Sequence, residues 1–304
     1  MTGGFVAPGF ERVRDAFEAG LAEELGAGFA AVRDGKVVVN LWGGWADRAQ
    51  TRPWAADTIL PVYSTTKGVS AIVMAWLVDR GLLNYDATSA SVWPAFGAHG
   101  KDKVTVAQTL AHQAGVPGFL HEIDPDLWLD PPACAAAIAA LEPLWPPGSA
   151  SGYHPLTWGY IAGELAQRAS GRSLGTILRE EICAPLGIDF SIGTPESEHG
   201  RAAEMKKPSR GGDFGEITPP RKAAFFTKWA APVRGSTQWR VIGNTNGFYG
   251  PNAEAIGHSG MGGSVGFGDS VAGISVGYVM NKQSHHIMGD PRSLKLIDAL
   301  YSCI

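Results

Sequence analysis

Residues 62–68 read Val62-Tyr63-Ser64-Thr65-Thr66-Lys67-Gly68. A serine and a lysine three positions apart emerge on one face if the segment is helical. The apolar residues that follow supply the helix: Val69, Ile72, Val73, Trp76 and Leu77 form one stripe, and Gly81 ends it. Ser64 therefore stands at a helix start, where its hydroxyl can cap free amides. Lys67 sits in the first turn, beside the partial positive charge of the helix N-terminus. If Lys67 is also buried, its pKa falls, and the neutral amine becomes a base for the neighbouring hydroxyl. The same residues have a plainer reading, a capped helix with a solvated lysine, and short motifs of this kind recur by chance.

Before this segment, Phe10, Val13, Phe17, Leu21 and Leu25 recur at helical spacing and predict a helix from Phe10 to Leu25. Phe29 to Arg33 and Val37 to Trp42 read as strands joined at Asp34-Gly35, a strong hairpin signal. After it come predicted helices at Val106 to His112, Cys134 to Leu141, Pro155 to about Ser170, and from a Ser173 cap through Ile182. The stretch 198–220 is polar and glycine-bearing, and reads as a flap or an excursion over a site. Strands return at Gly263 to Phe267 and Gly273 to Met280, and Pro291 to Tyr301 closes the chain as a helix. Two or three strands alone make a poor sheet, so the strands of both termini must join one antiparallel sheet. The expected architecture is α/β (α+β). Residues 1–62 and 250–304 form a sheet domain flanked by helices, and 63–249 a mostly helical lobe. A ligand site is expected in the cleft between them.

Several stretches keep a recognisable order around Ser64. Leu83-Asn84-Tyr85-Asp86 follows the first helix. Thr105-Val106-Ala107-Gln108-Thr109-Leu110-Ala111-His112-Gln113-Ala114-Gly115-Val116-Pro117 comes next, then Gly152-Tyr153-His154-Pro155, then Gly257-His258-Ser259-Gly260. Together with residues 62–68 they resemble serine β-lactamases, penicillin-binding proteins and their esterase relatives. The resemblance implies a β-lactamase-like fold, Ser64 as nucleophile, Lys67 as its base and Tyr153 as their proton-sharing partner. It also implies an oxyanion site from the backbone N–H groups of Ser64 and Met261, with His258, Ser259 and Gly260 against the substrate. Two departures resemble family VIII carboxylesterases: Tyr153-His154-Pro155 replaces Y-x-N, and His258 replaces the lysine of K-T-G. The stretch from about Pro220 to Ala255 is also short for that family.

The implied activity is hydrolysis of small or short-chain carboxylic esters through an acyl-Ser64 intermediate. A β-lactamase or D-aminopeptidase, or an acyltransferase, would use the same residues; a non-catalytic binding module is the reading outside enzymes. A net charge of −4 gives no electrostatic reason to expect nucleic acid or an anionic membrane. Three scattered cysteines without C-x-x-C fit reduced thiols, and the N-terminus shows no secretory pattern, so a cytoplasmic location is expected. No H-E-x-x-H, Walker or dinucleotide fingerprint occurs, so no metal or cofactor is expected. Two G-x-S-x-G matches, Gly171 to Gly175 and Gly262 to Gly266, lack the strand-turn-helix context of a nucleophile elbow and read as decoys. The oligomeric state is left open.

Overall fold

A computed structural model describes residues 2–119, 122–208, 247–286 and 288–304. Their elements in chain order are β1 (Thr2–Val6), α1 (Glu11–Gly20), β2 (Gly26–Arg33), β3 (Lys36–Gly44), α2 (Thr65–Asp79), α3 (Ser89–Val92), α4 (Val106–Leu110), α5 (Pro131–Ala139), α6 (Thr157–Ser170), α7 (Leu174–Ile177), α8 (Ala184–Leu186), β4 (Ile256–Ser259), β5 (Val265–Asp269), β6 (Ile274–Met280) and α9 (Pro291–Tyr301). They belong to two compact units. One holds residues 2–68, 194–208 and 247–304, and the other 69–193.

The first unit is built on an antiparallel six-stranded sheet of order β1-β3-β2-β6-β5-β4. Its strands come from both ends of the chain, and β2 pairs with β6 from Ala27↔Met280 to Arg33↔Ile274. Strand periodicity sends Ala27, Phe29, Ala31, Val276, Tyr278 and Met280 to one buried face. Val13 and Phe17 of α1 and Leu296, Ile297 and Leu300 of α9 share that apolar cluster, so these two helices cover the sheet. The hairpin turn falls at Asp34-Gly35, with φ of +48° and +74°. Strands β1 and β4 are additions to the sequence reading, and α1 stops at Gly20 instead of continuing to Leu25.

The part of 198–220 within the described residues is not a loose flap. Ala202 bridges Ile59, Lys206 bridges Lys282, and Arg52 donates to the carbonyls of Gly200 (2.9 Å) and Ala202 (2.6 Å). The remainder, with most of the stretch expected to be short, lies outside the described residues.

The second unit is helical. Val73, Met74 and Leu77 of α2 pack in one core with Ile138 of α5, Ile161 and Leu165 of α6 and Ile177 of α7. Ile72, expected on the apolar stripe, is exposed. Thr105 caps α4 with a complete capping box, since Thr105 Oγ1 accepts from Gln108 N–H and Gln108 Oε1 from Thr105 N–H. Pro155 lies ahead of α6, which starts at Thr157. Lys101 is fully buried here, its ammonium donating to the carbonyls of Ala98 (2.7 Å) and Leu141 (2.6 Å).

Candidate active site

Ser64 immediately precedes α2. The chain enters the helix through Tyr63, which has φ +48°, a left-handed conformation unusual for a residue with a side chain. A tight turn follows: Thr65 N–H donates to Val62 O (3.2 Å), Thr66 N–H to Tyr63 O (3.0 Å) and Lys67 N–H to Ser64 O (2.9 Å). Lys67 thereby returns over Ser64, and its Nζ lies 3.1 Å from Ser64 Oγ. As an ammonium it donates to that oxygen. Once deprotonated, the same contact runs from the hydroxyl to the amine. Burial pushes the Lys67 pKa down to about 8, because the charged form loses its water.

Strand β4 faces this turn within the same unit. His258 is buried and packs against Gly68, where a methyl group would come within 3.2 Å of its Cβ. Its Nδ1 donates to Ser259 O (2.7 Å), so in the neutral ring Nε2 carries the lone pair. Burial, opposed by the Ser259 carbonyl and aided by the nearby Lys67 charge, lowers its pKa to about 4. The imidazole is therefore uncharged at neutral pH. Ser259 leaves the strand on the opposite face, 3.5 Å from Tyr249 Oη. Beyond it the chain turns: Gly260 N–H donates to Ser264 O (2.7 Å) and Gly263 N–H to Gly260 O (3.2 Å), with half-exposed Met261 between them. The Gly262 carbonyl is held by Ser284 N–H (2.8 Å) and the Arg292 guanidinium (3.2 Å). Ser259 and Gly260 border a small cleft with Phe248, His286 and Met288.

Tyr153 belongs to the helical unit. Its ring lies 4.9 Å from that of His112, at a tilt of 50°. His112, at φ +64°, accepts from His154 N–H at Nδ1 (3.0 Å), while its own carbonyl accepts from Gly152 N–H (3.1 Å). His154 is fully buried, and its Nε2 accepts from Val116 N–H (3.2 Å). Two histidines thus hold the loop on either side of Tyr153. Neither was assigned this work from the sequence, although His112 sits within one of the quoted stretches. The hydroxyls of Thr65 and Ser264, 3.0 Å apart beside the Ser64 turn, had no assignment from the sequence either. Among the described residues no group of three His, Cys, Asp or Glu side chains could hold a metal. No helix among them is long and apolar enough to cross a membrane.

A model of the beta-lactamase family matches residues 13–237. This chain belongs to the beta-lactamase family. By sequence, this family member is 41% identical over 185 residues to the esterase/beta-lactamase LipL of Mycobacterium tuberculosis, covering 60% of the chain and 43% of the relative. Against esterase EstB of Burkholderia gladioli it is 29% identical over 203 residues, covering 58% and 50%. It spans about half the length of these curated relatives. Two solved structures match from end to end, with 100% of both chains covered. A penicillin-binding protein homolog from Caulobacter crescentus has a TM-score of 0.91 at 42% identity, and a family VIII carboxylesterase 0.87 at 36%. The β-lactamase-like α/β fold read from the sequence is the fold of this beta-lactamase family member.

Proposed function

We propose that this chain is a serine carboxylesterase that cleaves small carboxylic esters through an acyl-Ser64 intermediate. The observation that carries the reading is the Lys67 amine, 3.1 Å from Ser64 Oγ and with a pKa lowered to about 8. An alcohol needs such a base to attack a carbonyl near neutral pH. Ser64 Oγ adds to the ester carbon as its proton passes to Lys67. The resulting oxyanion is held by the N–H groups of Ser64 and Met261. The leaving alkoxide takes a proton from the Lys67–Tyr153 pair and departs as the alcohol. Water, deprotonated by the same pair, then releases the acid and restores Ser64.

The neutral His258 imidazole favours esters without a carboxylate near the scissile bond. A lysine at that position would attract such a group, whereas an imidazole with a pKa of about 4 brings no charge at pH 7. The test is a panel of nitrophenyl esters, nitrocefin, and an ester with added alcohol acceptor, run beside Ser64→Ala and Tyr153→Phe. Short neutral esters should turn over fastest. Ser64→Ala should lose activity and fluorophosphonate labelling, and Tyr153→Phe should lower kcat on the order of a hundredfold or more. Labelling of Ser64→Ala equal to that of the wild type would remove the proposal. Dominant nitrocefin turnover would make it a β-lactamase, and ester exchange with the alcohol an acyltransferase.

A further inference from the structure

Ser264 is the serine of Gly262-Gly263-Ser264-Val265-Gly266, a motif that lacks the context of a nucleophile elbow. It is 1% exposed, and its hydroxyl is fully engaged. Ser264 Oγ donates to Val62 O (2.9 Å) and lies 3.0 Å from Thr65 Oγ1. A hydroxyl has one hydrogen. With that hydrogen on Val62 O, the Thr65 hydroxyl must donate toward Ser264, whose Oγ (3.0 Å) and carbonyl (3.3 Å) are both in reach. In that arrangement the hydrogen bonds run from Thr65 to Ser264 to Val62. On its other side, the Ser264 carbonyl accepts from Gly260 N–H (2.7 Å) and closes the turn that contains Met261.

One buried residue therefore ties together two stretches about 200 positions apart, one carrying Ser64 and the other Met261. They approach so closely at Gly260 that a Cβ there would collide with Val62 O and Ser264 Oγ. We propose that Ser264, with Thr65, is a positioning residue that sets the spacing between the two backbone N–H groups receiving the oxyanion. The inference rests on the acyl-Ser64 reading. Two donors must both lie about 2.7–3.1 Å from one developing charge, so small displacements of either are felt in the rate. Without the Ser264 hydroxyl, the half-buried Val62 carbonyl keeps only the Thr65 N–H and the Thr65 hydroxyl loses an acceptor, and the two segments are free to drift.

The experiment compares Ser264→Ala, Thr65→Val and Thr65→Ser with the wild type and with Ser64→Ala. The readouts are kcat and KM on a short nitrophenyl ester, the Ki of a trifluoromethyl ketone that forms a tetrahedral adduct, and the site of fluorophosphonate labelling. In Ser264→Ala and Thr65→Val, kcat should fall about ten- to a hundredfold and ketone affinity in parallel, with KM changed less than about threefold. Thr65→Ser keeps the hydroxyl and should stay within about threefold of wild-type kcat. A lower Tm with kcat and Ki within about twofold of the wild type in both variants would overturn the clamp; if Ser264→Ala does not fold, the two Thr65 variants decide. Label mapped to Ser264 instead of Ser64 would overturn both readings. Loss of labelling in Ser64→Ala with undiminished kcat in the clamp variants would overturn this inference alone.

Discussion

At the scale of single residues, the pH dependence of the reaction should follow Lys67. The amine must be neutral to accept a proton, and with a pKa of about 8 roughly a tenth of it is neutral at pH 7. The expected kcat/KM therefore climbs about tenfold from pH 6 to 7, then bends near 8 and levels above 9. The apparent value belongs jointly to Lys67 and any group sharing its proton. His258 should add no limb between pH 5 and 7, since burial holds its pKa at about 4. A profile of initial rates over pH 5–10 checks both points, and a curve flat or falling from 6 to 9 would contradict the role given to the amine. The Ser64–Lys67 pair was legible because both residues lie within one helical turn, where spacing alone dictates a shared face. Ser264 was not, because its partners lie some 200 residues away and nothing local distinguishes a clamping hydroxyl from a small strand residue. His154 was read only as a departure from Y-x-N. Its buried bond to Val116 N–H depends on tertiary contact.

At the scale of elements, strong local chemistry was read well. The Asp34-Gly35 turn takes the two positive φ angles that a two-residue hairpin requires. Gly35 has no neighbouring atom within 4 Å of a would-be Cβ, so a side chain there meets only the backbone penalty. Gly35→Ala should thus cost about 1 kcal/mol in urea unfolding, with the slope unchanged. A loss well above that would mean that the turn makes contacts beyond its own backbone. Strands β1 and β4 went unread for a physical reason. Gly3, Gly4 and Gly257 interrupt their apolar alternation, and each glycine admits a close approach that only the folded sheet reveals. A Cβ on Gly257, for example, would collide with the backbone of β5. The overextension of α1 has the opposite origin: Leu21 continues the helical period, but the chain turns after Gly20.

At the scale of the whole molecule, the sheet-bearing unit contains a buried charge network that sequence patterning could not reveal. Arg292, at the start of α9, donates to Glu24 (2.6 Å) and to Asp290 (2.7 Å), and Glu24 also accepts from the Tyr278 hydroxyl of β6. One guanidinium serves two buried carboxylates. Burial, only partly offset by Arg292, raises the Glu24 pKa to about 7, while its carboxylate partners keep Arg292 charged. A raised carboxylate pKa contributes stability that is complete below about pH 4.5 and is lost as pH rises through 7. Glu24→Gln fixes the neutral form, so its unfolding free energy in urea relative to the wild type should increase from pH 5 to pH 9, by on the order of 3 kcal/mol. A difference that stays constant across that range would refute this account. The wider architecture has a consequence for how the protein is made. Strand β2 acquires its β6 partner only after more than 240 further residues have been translated, and Val62 waits about 200 residues for Ser264. A nascent chain emerging at roughly 5–20 residues per second must hold its half-built sheet for many seconds with an open edge. Turnover should therefore be absent from nascent chains stalled before β6 has left the exit tunnel, and the sheet without β6 is the stage that exposes an unpaired strand edge to aggregation.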